Sequence, residues 1–175
     1  MKRRNIALIC LALLIAMAFS FNVLAYSINT YGYANPDIDY QNSGVSSIYL
    51  TAMSNAQNAW NNASCDCTVS SSSGSYNPLV TFTADPPIIV GFYQSLATDT
   101  SDPQHLTTWF RIGMNSELFP SYTANQRQSV CVHELGHAMG LSDLGSGTAI
   151  MNQYRDKSTI YTPQSDDING VNSNW

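Results

Sequence analysis

His133-Glu134-Leu135-Gly136-His137-Ala138-Met139-Gly140-Leu141-Ser142-Asp143 is the most informative stretch of this 175-residue chain. Its first part lies inside a segment that reads as a helix. Along a helix rising about 1.5 Å per residue, His133 and His137 stand one turn apart on the same face, roughly 6 Å along the axis. Two imidazole nitrogens can therefore reach one ion. Glu134 adjoins that face, within reach of a water on the ion. Zinc takes His nitrogen readily, and its catalytic sites combine three protein ligands with a water whose proton a nearby carboxylate can accept. The chain has only three His and two Glu, yet two of the His and one of the Glu fall in positions 133–137. Chance placement carries little weight.

A third ligand has to come from downstream, where neither His nor Glu follows His137. The carboxylates on offer are Asp143, Asp156, Asp166 and Asp167. Gly140 can take the left-handed conformation that ends a helix, which turns the chain back so that Asp143 faces the same ion. Cys131 sits two residues before His133, an offset that points away from the His133/His137 face, so a structural or disulfide role is expected there.

Working outward, Thr123-Ala124-Asn125-Gln126 has capping-box spacing and predicts the start of this helix, which runs to about Met139. An earlier helix is expected over 45–63, where apolar residues recur at helical period without Gly or Pro. Strands are expected at 79–83, at 88–93 and at 107–114. The serine-rich run 70–75 reads as a polar loop, and 26–43 as an extended leading segment ending in a turn. Thr162 as cap, Pro163 in the first turn and Asp166 and Asp167 at the N-terminus predict a last helix over 163–172, burying Ile168 and Val171. The fold class is α+β: a small twisted sheet, two long helices and a short third.

Lys2, Arg3 and Arg4 precede an apolar run from Ile6 to Phe21, and Val23-Leu24-Ala25 offers a small-residue cut site before Tyr26. This reads as a secretory signal over 1–25, followed by one domain over 26–175. Its removal takes the formal charge from −5 to −8 and leaves Arg111, Arg127, Arg155 and Lys157 as the cations. A basic patch for nucleic acid or anionic lipid is thereby excluded. The mature protein is expected to be secreted, free of membrane and monomeric. Of Cys65, Cys67 and Cys131, one of the first two is expected to pair with Cys131, because a Cys65–Cys67 ring would be small and strained. Asp99, Asp102 and His105 form a candidate calcium loop, weighed against a simple solvated loop.

The string His133-Glu134-x-x-His137-x-x-Gly140-x-x-Asp143 resembles the long zinc-binding signature of the metzincin metallopeptidases. Asp143 stands where His is usual, which is similar to the snapalysin type. Ala149-Ile150-Met151-Asn152 sits where that family has its Met-containing turn, and 162–171 looks like the C-terminal helix of matrixin-like peptidases. The resemblance implies a zincin-like fold with a mixed sheet and a zinc-dependent endopeptidase acting on protein or peptide substrates. It makes His133, His137 and Asp143 the metal ligands, Glu134 the general base and Met151 a structural residue beneath them. Tyr154, three residues after the Met, is expected as a wall of the substrate pocket or, less directly, near the reacting oxygen. A strand within 107–115 is expected to pair with substrate backbone. Asp143 should make the metal site less positive than three His would, and its bound water less acidic. Two other readings stay open: an aspzincin-type or other zinc hydrolase taking its third ligand further along, at Asp156, and a non-catalytic zinc-binding module.

Overall fold

A computed structural model describes residues 26–28, 32–101 and 106–175. The expected signal at 1–25, and Asp102 and His105 of the candidate calcium loop, lie outside the described residues. Strand β1, Asp37–Gln41, is followed by helix α1, Ser47–Asn61. The buried side chains of α1 are Tyr49, Ala52, Met53, Ala56 and Trp60, one apolar stripe at helical spacing. Burying the larger ones contributes about 1.5–3 kcal/mol each, more than helix propensity supplies at any one position. Strands β2, Thr68–Ser72, β3, Leu79–Phe82, β4, Gly91–Thr98, and β5, Thr107–Asn115, come next. A 3-10 turn at Phe119–Ser121 leads into helix α2, Ala124–Ala138, and the short helix α3 is Ser165–Asn172. The α+β architecture expected from the sequence is present, with mixed strand pairing.

β3 and β4 flank β5, the first parallel to it and the second antiparallel. β1 and β2 form a separate parallel pair, joined to this sheet through a bridge between Gln41 and Pro78. The stripe of α1 faces α2, and the core gathers between the helices and the sheet around Trp60, Phe110, Met114 and Leu135. Trp60 donates its indole N–H to the Val132 carbonyl, 3.0 Å away in the middle of α2. The capping box at Thr123 and Gln126 forms as its spacing predicts.

Several expectations need correction. Only the second half of the serine-rich run, 73–75, is loop: Ser70–Ser72 pair with Asp39–Gln41, anchored by buried Val69. Here the backbone ladder and one apolar side chain outweigh poor strand propensity. The strand expected at 88–93 begins only at Gly91 and runs to Thr98, leaving Ile88 77% exposed in the preceding segment. Helix α3 starts two residues later than expected, capped by Gln164 with Asp167 completing the box. β5 cannot present an edge to substrate, because both its sides are already paired; the edges are β3 and β4, and β4 is the one beside His133, Glu134 and His137. Cys65, Cys67 and Cys131 carry free thiols, without the expected disulfide to Cys131. Cys131 lies fully buried, whereas the Cys65 and Cys67 sulfurs approach each other to 3.6 Å.

Candidate metal centre

Helix α2 delivers His133, Glu134 and His137 from one face, and its C-terminus then sets the position of Asp143. Gly140 adopts φ +87°, its N–H donating to the His137 carbonyl at 3.0 Å while the Leu141 N–H donates to Gly136 at 2.9 Å. This pair of bonds is the Schellman arrangement, which only a residue tolerant of positive φ closes cheaply. The leading segment straps the same corner. Tyr33 donates its N–H to the Ala138 carbonyl at 2.8 Å and Ser142 donates to Ser27 at 2.7 Å. A Cβ on Gly32 would lie 2.5 Å from the Gly140 Cα, so the two glycines permit the close pass.

The turned chain brings Asp143 Oδ1 to 3.1 Å from His133 Nε2 and 3.6 Å from His137 Nε2. One donor atom from each residue lies within 4.8 Å of the others, forming a group that can hold a metal ion. Tetrahedral ligands at about 2.0–2.1 Å from zinc stand roughly 3.3 Å apart, which the two Asp143 spacings bracket. The opposite ring nitrogens fit it as well. His133 Nδ1 faces the Ile150 carbonyl at 2.9 Å and His137 Nδ1 faces the Leu141 carbonyl at 2.8 Å. Donation from Nδ1 leaves Nε2 with its lone pair toward the shared point.

The turn carrying Ile150 and Met151 supports these contacts from below. A Cβ on Gly136, between the two histidines, would sit 2.5 Å from Met151 Sδ, which places this methionine directly beneath the helix. Buried Asp167 of α3 accepts the N–H groups of Ile150 at 2.8 Å, Met151 at 3.3 Å and Gln164 at 2.8 Å. An uninterrupted path thus runs from Asp167 through the Ile150 peptide to His133. Sequence reasoning placed Asp167 at a helix N-terminus but did not find this clamp, which spans 17 residues in sequence.

Glu134 is buried, and burial raises its carboxyl pKa against the opposing pull of His133, His137 and Arg155. It packs beneath the start of β4, where a Cβ on Gly91 would come within 2.8 Å of Glu134 Oε1 and 2.7 Å of Val130 Cγ1. Asp143 is half-exposed. Burial pushes its pKa up, but bonding to His133 and the charges of both histidines outweigh this and hold it below the ordinary carboxylate value. Arg155 is buried behind His133, its Nη1 3.1 Å from His133 Nδ1. Its hydrogen bonds run to Ser129 Oγ at 3.0 Å, the Ser129 carbonyl at 2.9 Å and the Asn152 carbonyl at 3.0 Å.

Tyr154 does not form the pocket wall expected of it. It is 80% exposed and lines neither cavity beside the metal-binding group, whereas its neighbours Gln153 and Arg155 do line one. The loop alternates inward and outward side chains here, and position 154 points outward. Asp156 is exposed and accepts from the Ser158 N–H and hydroxyl instead of joining the group. Asp99 accepts from the Ser101 N–H and hydroxyl. Gly91, Tyr93 and Arg155 were not singled out from sequence. Tyr93 packs its ring 6.1 Å from that of His137, a contact between a strand and a helix that no local pattern marks.

A paired-histidine helix, a returning carboxylate and a Met-containing turn beneath them define the zincin type of metallopeptidase. A sequence model of the matrixin family matches residues 55–175, and the chain belongs to that peptidase family. No curated protein matches it in sequence. Among solved structures, a chain of the GM1-bound form of the ECX AB5 holotoxin is similar at 16% identity and a TM-score of 0.52, the match covering 85% of this chain and 83% of that one. Myroilysin is similar at 18% identity and a TM-score of 0.36, over 78% of this chain and 64% of that one.

Proposed function

We propose that the chain is a secreted zinc metalloendopeptidase in which His133, His137 and Asp143 hold the ion and Glu134 is the general base. The observation that carries this reading is the convergence of three donor atoms within 4.8 Å, with a buried carboxylate beside them. Zinc bound there would supply Lewis acidity toward a peptide carbonyl and its attacking water. Glu134 accepts the proton of that water as the C–O bond forms, then passes it to the leaving amine as the C–N bond breaks. In the metal-free chain burial raises its pKa, the direction that favours returning a proton once it has been taken. His133 and His137 are held in orientation through their Nδ1 contacts, and Met151 keeps the helix seated. The edge of β4 supplies the strand along which an extended peptide can lie, with Gly91 to Tyr93 beside the reacting groups. Secretion rests on the charged start, apolar run and Ala25 cut site of residues 1–25.

The decisive comparison is proteolysis of a denatured protein by the mature chain and by Glu134→Ala at equal zinc content. Cleavage by the first alone supports the peptidase and its base together, with an expected loss of at least about 10²–10⁴-fold. Zinc binding without cleavage by either would favour a binding module. Equal cleavage by both would remove Glu134 from its role.

A further inference from the structure

Two cavities meet at His133, Glu134, Asp143 and Gly91, and their outer walls differ in chemistry. One, of about 330 Å³, extends over Phe92, Tyr93 and His137. The other, of about 430 Å³, runs between the exposed Ile88 and Ile89 on one side and Arg155 and Lys157 on the other. Every cation bordering the pair therefore stands on one side of the reacting groups, histidines apart.

Carboxylates act on Arg155 only at longer range, from Glu134, Asp167 and Asp143. Among the described residues, neither Arg155 nor Lys157 has a carboxylate in ion-pair contact; Asp143 is taken up by the two histidines. Glu134 borders both cavities and Asp143 does too, but the peptidase reading commits both carboxylates to the metal and its water. The hydrogen bonds of Arg155 go to two carbonyls and a hydroxyl, so they fix the guanidinium in place without neutralising it. Lys157 is half-buried beside it. Burial and the Arg155 charge both lower the Lys157 pKa, and burial lowers that of Arg155 to about 10. Unpaired charges withdrawn from water are costly, and a bound anion relieves that cost.

We propose, on the strength of the peptidase reading above, that this cavity is a subsite for an acidic side chain adjoining the scissile bond. Lys157 is the residue that selects it. Glutamate meets both walls: its methylenes lie along Ile88 and Ile89 while its carboxylate reaches Lys157 and the Arg155 side. Glutamine, of the same shape, gains only the apolar half.

The test uses C-terminally amidated peptides that differ only in Glu, Gln or Leu beside the cut, with product ends mapped by mass spectrometry. The expected kcat/KM for Glu exceeds that for Gln by about tenfold, the scale of one partly desolvated charge contact. In Lys157→Met the ratio falls to about one, and in Lys157→Glu it inverts. A ratio cancels any uniform loss of activity from the substitutions. A Glu/Gln ratio near one in the parent, or a ratio that survives Lys157→Met, overturns the subsite while leaving the peptidase intact. A parallel Gln peptide with a free C-terminus distinguishes the source of the carboxylate: preference for the free acid without preference for Glu would also overturn it. Absence of cleavage across the whole set would instead refute the peptidase reading, and the subsite with it.

Discussion

Replacing Asp167 by Asn keeps the shape of the side chain and removes its charge, which isolates the clamp on the Met-containing turn. Asp167 Oδ2 accepts from both Ile150 and Gln164 at 2.8 Å, and Oδ1 from Met151 at 3.3 Å. With its amide oxygen toward Met151, Asn turns an NH2 group against two N–H donors; flipped, it abandons Met151. Two charge-assisted bonds at about 1.5–3 kcal/mol each set the scale of the loss. Burial raises the Asp167 pKa despite these bonds. The folded chain therefore holds this proton more tightly than the unfolded chain, and the group's contribution declines as pH rises past the ordinary Asp value of about 3.9. That places the loss near pH 7 at the lower end, about 3 kcal/mol, against a total of roughly 5–15 kcal/mol. For a domain of this size the metal-free protein should melt about 6–12 °C lower. The same substitution slackens the Ile150 peptide whose carbonyl faces His133, so zinc affinity should fall about 10–100-fold. Calorimetry of the metal-free protein and competition with a chelating dye measure the two effects. Melting within about 1 °C of the parent, with zinc affinity unchanged, would refute the path from Asp167 to His133.

Three further outcomes are expected. Asp143→His leaves the metal group more positive, so the acid limb of the pH–rate profile should move to lower pH; no shift, at full zinc occupancy, would count against Asp143 as ligand. Gly91→Ala drives a methyl group into Glu134 and stiff, buried Val130, and should reduce kcat about tenfold or more while zinc content stays at the parent level. The Cys65 thiol is lowered to about 7 by the Cys67 thiol beside it, so iodoacetamide should alkylate it half-maximally near that pH. Fully buried Cys131, pushed up by burial, should resist the reagent until the protein unfolds.

The parts of this molecule legible in its sequence are those written in local spacing. Thr123 and Gln126 mark a cap, the stripe from Tyr49 to Trp60 marks a packed face, and His133 and His137 mark one side of a turn of helix. Gly140 was legible too, because ending a helix with positive φ is a demand few residues meet. What escaped depends on partners distant in sequence. Ser70–Ser72 become strand only because β1 lies alongside, and the β4 register follows β5, not the apolar letters at Ile88 and Ile89. Gly91 matters through Glu134, Asp167 through Ile150, and Arg155 through Ser129 and His133; nothing within a few residues of any of them announces it. Tyr154 was misplaced because counting residues after Met151 does not say which way a loop side chain points.

Lys157 and Lys2 are the only lysines in the sequence. If the chain is cut before Tyr26, the side-chain amine chemistry of the remaining protein is concentrated at one point, on the rim of the cleft beside Glu134. An amine-selective fluorophore would then attach at Lys157 and at the chain terminus alone. A probe blinking or quenching at that single side chain would read occupancy of the cleft directly, without any turnover. With its lowered pKa, Lys157 should also react at a pH where an ordinary lysine stays silent.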